Sequence, residues 1–253
     1  APGPGSPAEL ADALRATGYL ADDGLATAAF LALRMNRPLF CEGEPGTGKT
    51  ALAQALAATL DAPLIRLQCH DGIDAGQALY DWDFPRQLLH LRAAETAGST
   101  GDVEALEHEL YDERFLLARP LLQAIRTSPA VLLIDEIDRA DDEFEAFLLE
   151  LLSEYAVTIP ELGRIVADVP PVVVITSNRT REVHDALKRR CTYHWLDHPT
   201  FEREVAIVPL GADTLDVELA THTLGSVLKY REDLEQASKL DLGRLVANAV
   251  QGV

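Results

Sequence analysis

The octapeptide Gly43-Glu44-Pro45-Gly46-Thr47-Gly48-Lys49-Thr50 lies between an apolar run, Pro38 to Cys41, and a stretch of helical periodicity, Lys49 to Leu60. Few features restrict a fold more. A loop with three glycines can turn successive backbone N–H groups toward one point. A helix opening directly behind it adds its unpaired N–H groups and the positive end of its dipole. Strand, loop and helix in that order concentrate affinity for an anion. The octapeptide fits G-x-x-x-x-G-K-[ST] at every position, the pattern that cradles nucleotide phosphates. In it, Lys49 reaches the β- and γ-phosphates and the Thr50 hydroxyl binds Mg²⁺. Residues 43–50, with Ala51 in the first helical turn, are therefore the candidate set for binding ATP or ADP.

A second motif supplies the matching acids. Val131-Leu132-Leu133-Ile134 is wholly apolar and ends in Asp135-Glu136. Such a run reads as a buried strand near the phosphate loop, and in open α/β sheets ligands bind at the carboxyl ends of strands. Asp135 is placed to hold Mg²⁺ through water. Glu136 is placed to polarise a water for attack on the γ-phosphate. Further strands are expected at 64–69 and 172–176, and helices at 9–16, 25–35, 142–154 and from Pro85. Asp22 or Asp23 should cap the second helix. A hairpin is expected from Tyr155–Ile159 and Arg164–Ala167 around Pro160-Glu161-Leu162-Gly163. Residues 81–83 read as a loop, and 104–126 as a helix broken near Pro120. Strands alternating with helices argue for a mostly parallel sheet covered on both faces.

Charge and cysteine usage exclude several classes. Asp and Glu outnumber Lys and Arg by 41 to 22, giving a net charge of −19. A chain so acidic repels phosphate backbones, so nucleic acid is not an expected partner. Cys41, Cys69 and Cys191 are far apart and form no C-x-x-C pair, which speaks against zinc and disulfides and for buried thiols in a reducing cytoplasm. No stretch approaches the ~18 apolar residues of a membrane span. The opening APGPGSPAEL lacks a signal peptide's basic and apolar regions, and residues 1–8 read as disordered.

The two motifs, separated as they are within one alternating chain, resemble an AAA+ ATPase. VVVITSN, 172–178, is similar to the family's sensor-1 strand, which implies that Asn178 orients the attacking water. DALKRRC, 185–191, is similar to the segment whose arginine reaches a neighbouring subunit's ATP site. That resemblance makes Arg190 the finger candidate and Arg189 its reserve. Within AAA+ proteins the chain resembles the MoxR family, particularly members encoded with von Willebrand A-domain partners. The stretches that carry this resemblance are TGYLADDGLATAAFLALRMNRPLFCEGEPGTGKT (17–50), ALYDWDFPRQLLHLRAAE (78–95), RFLLARPLLQAI (114–125), EYAVTIPELG (154–163) and TSNRTREVHDALKRRC (176–191). The family implies a homo-hexameric ring, a von Willebrand A-domain adaptor and ATP-driven, chaperone-like remodelling of a protein client. It also places Tyr19 and Leu20 near the adenine and the 155–167 hairpin on the pore or ring surface.

The resemblance covers roughly 10–206, which sets the expected division: an AAA+ P-loop NTPase core over 1–206 and a partial C-terminal helical lid over 207–253. Pro209-Leu210-Gly211 leads straight into 212–234, where the family has further helices. Either segments are skipped near Val208-Pro209 and Ala237–Leu240, or the lid is short. Neither Arg231 nor Arg244 is assigned as a second sensor. Two other functions stay open at this point: a nucleotide-gated scaffold without a catalytic requirement, and a nucleic-acid-directed motor. The acidic balance opposes the motor, and the presence of Glu136, Asn178 and Arg190 opposes the scaffold. A small-molecule kinase is weaker still, because no acceptor base other than Glu136 stands out.

Overall fold

A computed structural model of the chain divides into two compact units, residues 1–198 and 199–253. The structure describes residues 3–96 and 109–198. The expected lid over 207–253, and the core boundary at 206, lie outside the described residues.

The first unit is built on a five-stranded parallel sheet. Its strands are β1 (Leu39–Gly43), β2 (Leu64–Gln68), β5 (Val131–Asp135), β8 (Val172–Ser177) and β9 (Thr192–Leu196), in the spatial order β2-β5-β8-β1-β9. β1 and β5 are buried along their whole length, which explains the apolar runs Leu39–Cys41 and Val131–Ile134 that precede the buried Glu42 and Asp135. Period-2 alternation sends successive side chains to opposite faces. Leu39, Cys41, Leu133 and Val174 pack with α1 (Pro7–Ala16), α2 (Asp23–Met35) and α3 (Lys49–Thr59). Phe40, Leu132, Ile134, Val173 and Ile175 belong to the other core, with α4 (Ala75–Leu79), α6 (Pro120–Arg126) and α7 (Asp142–Glu154).

Local chemistry sets the helix ends. The Asp22 carboxylate accepts from Leu25 N–H at 2.7 Å, and Asp141 caps α7 through Phe144 N–H at 2.9 Å. Ser6 caps α1 with Pro7 in its first turn, and Glu9 folds back to accept from Gly5 N–H. Residues 7 and 8 are therefore helical, which corrects the expected disorder at those positions, while residues 1 and 2 lie outside the described residues.

Two further readings are corrected. Residues 80–82 are a short strand, β3, paired antiparallel with β4 (Leu116–Ala118). Pro120 starts α6 rather than breaking a helix, as suits a residue with no N–H to give. The part of the expected helix at 104–108 lies outside the described residues, as do 97–103. Helix α5 (Phe84–Thr96) opens where expected. The hairpin forms from β6 (Ala156–Ile159) and β7 (Gly163–Val166), turning at Gly163 with φ +81°. Val157 and Ile159 bury one of its faces in the core. The last helix of this unit, α8 (Asp185–Arg190), leads into β9, a strand not anticipated from sequence.

Candidate active site

The phosphate loop joins the end of β1 to the start of α3. Gly46 and Gly48 have φ of +85° and +89°, a left-handed backbone that side chains disfavour. Gly43 is required for a different reason: a Cβ there would stand 2.3 Å from the Leu196 carbonyl oxygen on the neighbouring strand β9. Lys49 is buried, and its ammonium donates to the Gly43 and Glu44 carbonyl oxygens, both at 2.7 Å. Burial pulls its pKa below the usual lysine value, opposed by nearby negative groups led by Asp138. A cation closed in by carbonyl dipoles and open-sided glycines suits an anionic ligand, so the loop fits nucleotide phosphates.

The acids meet this loop from two other strands. The Thr50 hydroxyl lies 3.3 and 3.4 Å from the two Asp135 carboxylate oxygens. A hydroxyl and a carboxylate are the hard oxygen donors that Mg²⁺ takes together with phosphate oxygens and water. Among the described residues no cluster of three or more His, Cys, Asp or Glu could hold a metal alone. Glu136 adopts φ 57°, ψ 51°, which turns the chain out of β5. Asn178 Nδ2 donates to Glu136 Oε1 at 3.3 Å, so the two residues expected to handle water are in contact.

The side chains that hold this arrangement were mostly not anticipated. Thr176, on β8 between β1 and β5, donates to Asp135 Oδ1 at 2.5 Å and accepts from Glu136 N–H at 2.9 Å. Asp138 is buried and accepts from Asn178 N–H at 3.1 Å, Thr180 N–H at 2.8 Å and the Thr180 hydroxyl at 2.6 Å. Burial pushes its pKa up, but these bonds outweigh it and leave the carboxyl below its ordinary value. Arg66 and Gln68 approach from β2: Arg66 pairs with Asp135, and Gln68 donates to Glu136 Oε2 at 3.0 Å. Glu136 also faces Arg139 at 3.5 Å. An open cleft of about 900 Å³ runs from Glu136, Asp138 and Asn178 to Asp141, Glu143 and Arg181.

Residues 38–191 match the family described as the AAA domain, dynein-related subfamily. The chain belongs to this AAA family. It is 25% identical over 217 residues to an AAA domain-containing protein of Schizosaccharomyces pombe, covering 84% of this chain and 23% of that protein. An uncharacterized Staphylococcus aureus protein is 24% identical over 214 residues, covering 81% of this chain and 71% of the other. The structure of a candidate ATPase from Cytophaga hutchinsonii superposes with a TM-score of 0.50 at 18% identity, over 71% of this chain and 47% of that one. At that identity the likeness concerns the fold. This chain thus spans under a quarter of the yeast relative and about half of the superposed structure.

The remaining expected site residues of this AAA domain are placed unevenly. Tyr19 stands at the loop: a Cβ on Gly48 would be 3.7 Å from its ring. It also packs against the α1–α3 core, together with Ala21 and Phe30. Leu20 is half-buried in the turn before α2. Glu44 and Pro45 are exposed, and His198 lies 2.9 Å from the Glu44 carboxylate. Arg189 and Arg190 are both exposed at the end of α8. Arg190 Nη1 donates to the Leu149 carbonyl at 3.2 Å, whereas Arg189 makes only a 3.9 Å pair with Asp185. Cys41, Cys69 and Cys191 are buried and free, and burial pushes each thiol up to about 12. Among the described residues no helix is long and apolar enough to cross a membrane.

Proposed function

We propose that the protein hydrolyses ATP with Mg²⁺ and works as a MoxR-type remodelling ATPase, assembled as a ring, most simply a hexamer. The observation that carries the reading is the meeting of Thr50 with Asp135 and of Asn178 with Glu136 at one edge of the sheet. Residues 43–50 hold the phosphates, with Lys49 released from the loop carbonyls to the phosphate oxygens. Thr50 and Asp135 hold Mg²⁺, which when bound neutralises charge on the phosphates. Glu136 accepts the proton of a water that Asn178 orients. Tyr19 and Leu20 flank the base.

Arg190 or Arg189 would complete a neighbour's site, adding positive charge where the transition state gathers negative charge. Their exposure at one end of α8 supports that role, and among the described residues neither has an ion pair closer than 3.9 Å. The yeast relative is described only as containing an AAA domain, so the client and the von Willebrand A-domain adaptor rest on the MoxR resemblance. The test is steady-state ATPase activity and fluorescent-nucleotide binding of wild type and Glu136→Gln. The variant should bind ATP within about threefold of wild type and lose turnover by at least about 100-fold. Turnover that survives in Glu136→Gln would overturn the assignment of Glu136 as the base, and a wild type that binds ATP without turning it over would favour the scaffold reading.

A further inference from the structure

Asp135 is almost fully buried, yet one of its oxygens is held by a cation from its own chain. Arg66 Nη2 lies 2.5 Å from Asp135 Oδ2 and also 2.5 Å from Gln68 Oε1. Gln68 turns its Nε2 to Glu136 Oε2. A single guanidinium nitrogen therefore holds one acid of the motif directly and the other through one amide. Arg66 and Gln68 can do this together because, two residues apart on β2, they share a face.

The pair is unequal in exposure. The Asp135 side chain is 5% exposed and that of Arg66 is 52%. The carboxylate is fixed, while the guanidinium has a flexible stem and water beside it. A buried carboxylate left without a counter-charge is costly, so a resident cation stabilises the site before any ligand arrives. The Thr50 hydroxyl stands 3.4 Å from the same Oδ2. A metal taken up by Thr50 and Asp135 would meet Arg66 as a like charge at close range. Arg139 offers no substitute, since its partners are Glu136 and Asp71.

We propose that Arg66 is a placeholder cation that competes with Mg²⁺ for Asp135. The proposal rests on the reading of Asp135 as the Mg²⁺ carboxylate. Arg66 is then a positioning residue that holds the Asp135 carboxylate while the metal is absent.

The test is fluorescence titration of the full chain with N-methylanthraniloyl-ADP, in EDTA and in saturating Mg²⁺, for wild type, Arg66→Gln and Arg66→Lys. The ratio of the two Kd values is the Mg²⁺-linked gain in affinity. It should rise about three- to tenfold in Arg66→Gln, as expected for removing a half-exposed competing charge. In Arg66→Lys, which keeps the charge, it should stay within about twofold of wild type. An unchanged or reduced gain in Arg66→Gln overturns the proposal. A wild type that binds no nucleotide overturns the site reading itself, and the inference with it.

A second measurement needs no neutral variant. Mg²⁺ added to ADP-bound wild type should shift the Arg66 Nε–H signal in arginine side-chain NMR, assigned by its loss in Arg66→Lys. A signal that does not move overturns the proposal.

Discussion

Thr176→Val removes one oxygen atom and keeps the shape. The hydroxyl it deletes makes two bonds, donating to Asp135 Oδ1 at 2.5 Å and accepting from Glu136 N–H at 2.9 Å. Thr176 is 1% exposed and Asp135 3%, so water cannot replace either bond cheaply. A bond to a charged acceptor contributes about 1.5–3 kcal/mol, and a buried N–H left unpaired costs about 1–3 kcal/mol. Asp135 keeps Arg66 and Thr50, which places the expected loss near 3 kcal/mol, toward the lower half of the sum. For a unit of this size each kcal/mol lowers Tm by about 2–4 °C, so the variant should melt about 6–12 °C below wild type. Thr176→Ser keeps the hydroxyl and loses only a buried methyl, at about 1 kcal/mol. Differential scanning calorimetry of the three proteins decides the matter. If Val melts within about 2 °C of wild type, or above Ser, the hydroxyl does not hold the acids and the argument fails.

Gly43→Ala puts a Cβ 2.3 Å from the Leu196 carbonyl, a backbone atom of a paired strand that cannot step aside. It should cost about 3 kcal/mol and melt well below wild type, and a wild-type melting curve would refute the β1–β9 contact. Asp138→Asn tests a linkage. The Asp138 pKa lies below its ordinary value in the folded chain, so its contribution is complete above about pH 4 and is lost as pH falls through the folded value. The stability gap between wild type and Asp138→Asn in urea titrations should therefore be full at neutral pH and narrow in acid. A gap that widens as pH falls would contradict the sign.

The nucleotide loop and the two acids were legible because their chemistry is local. The glycine spacing fixes the turn, and a four-residue apolar run fixes a strand end. Asn178 was legible only through family resemblance, since an amide after a strand has many uses. Thr176 and Asp138 escaped notice because a threonine inside an apolar strand and an acid two residues past a motif carry no pattern until β8 is placed beside β5. Arg66 did leave a signal: a charged side chain in the middle of a strand destined for a covered sheet needs a buried partner. β3 and β4 are three residues each, too short for any period to show. β9 leaves little signal, because only Leu196 of its five residues is fully buried and Thr192, His194 and Trp195 are half-buried, so no clean alternation shows.

The strand order explains why these residues act as one group. β8 lies between β1 and β5, so its last residues can face acids on both sides. Thr176 serves Asp135, Ser177 lies 3.4 Å from Glu42 on β1, and Asn178 serves Glu136 while its backbone N–H serves Asp138. Glu42 in turn is buried with Lys188 at 3.6 Å and the Tyr193 hydroxyl at 2.9 Å, which tie α8 and β9 to the base of the phosphate loop. Three consecutive residues thus bond to four carboxylates from two segments, the end of β1 and residues 135–138. A displacement of β8 that breaks one of these bonds strains the others, so the residues cannot be treated as independent. The same geometry connects the phosphate loop to the helix bearing Arg189 and Arg190. Glu42 immediately precedes Gly43, and Lys188 immediately precedes Arg189. A displacement of the end of β1 would therefore load the Glu42–Lys188 and Glu42–Tyr193 contacts and, through them, α8 and β9.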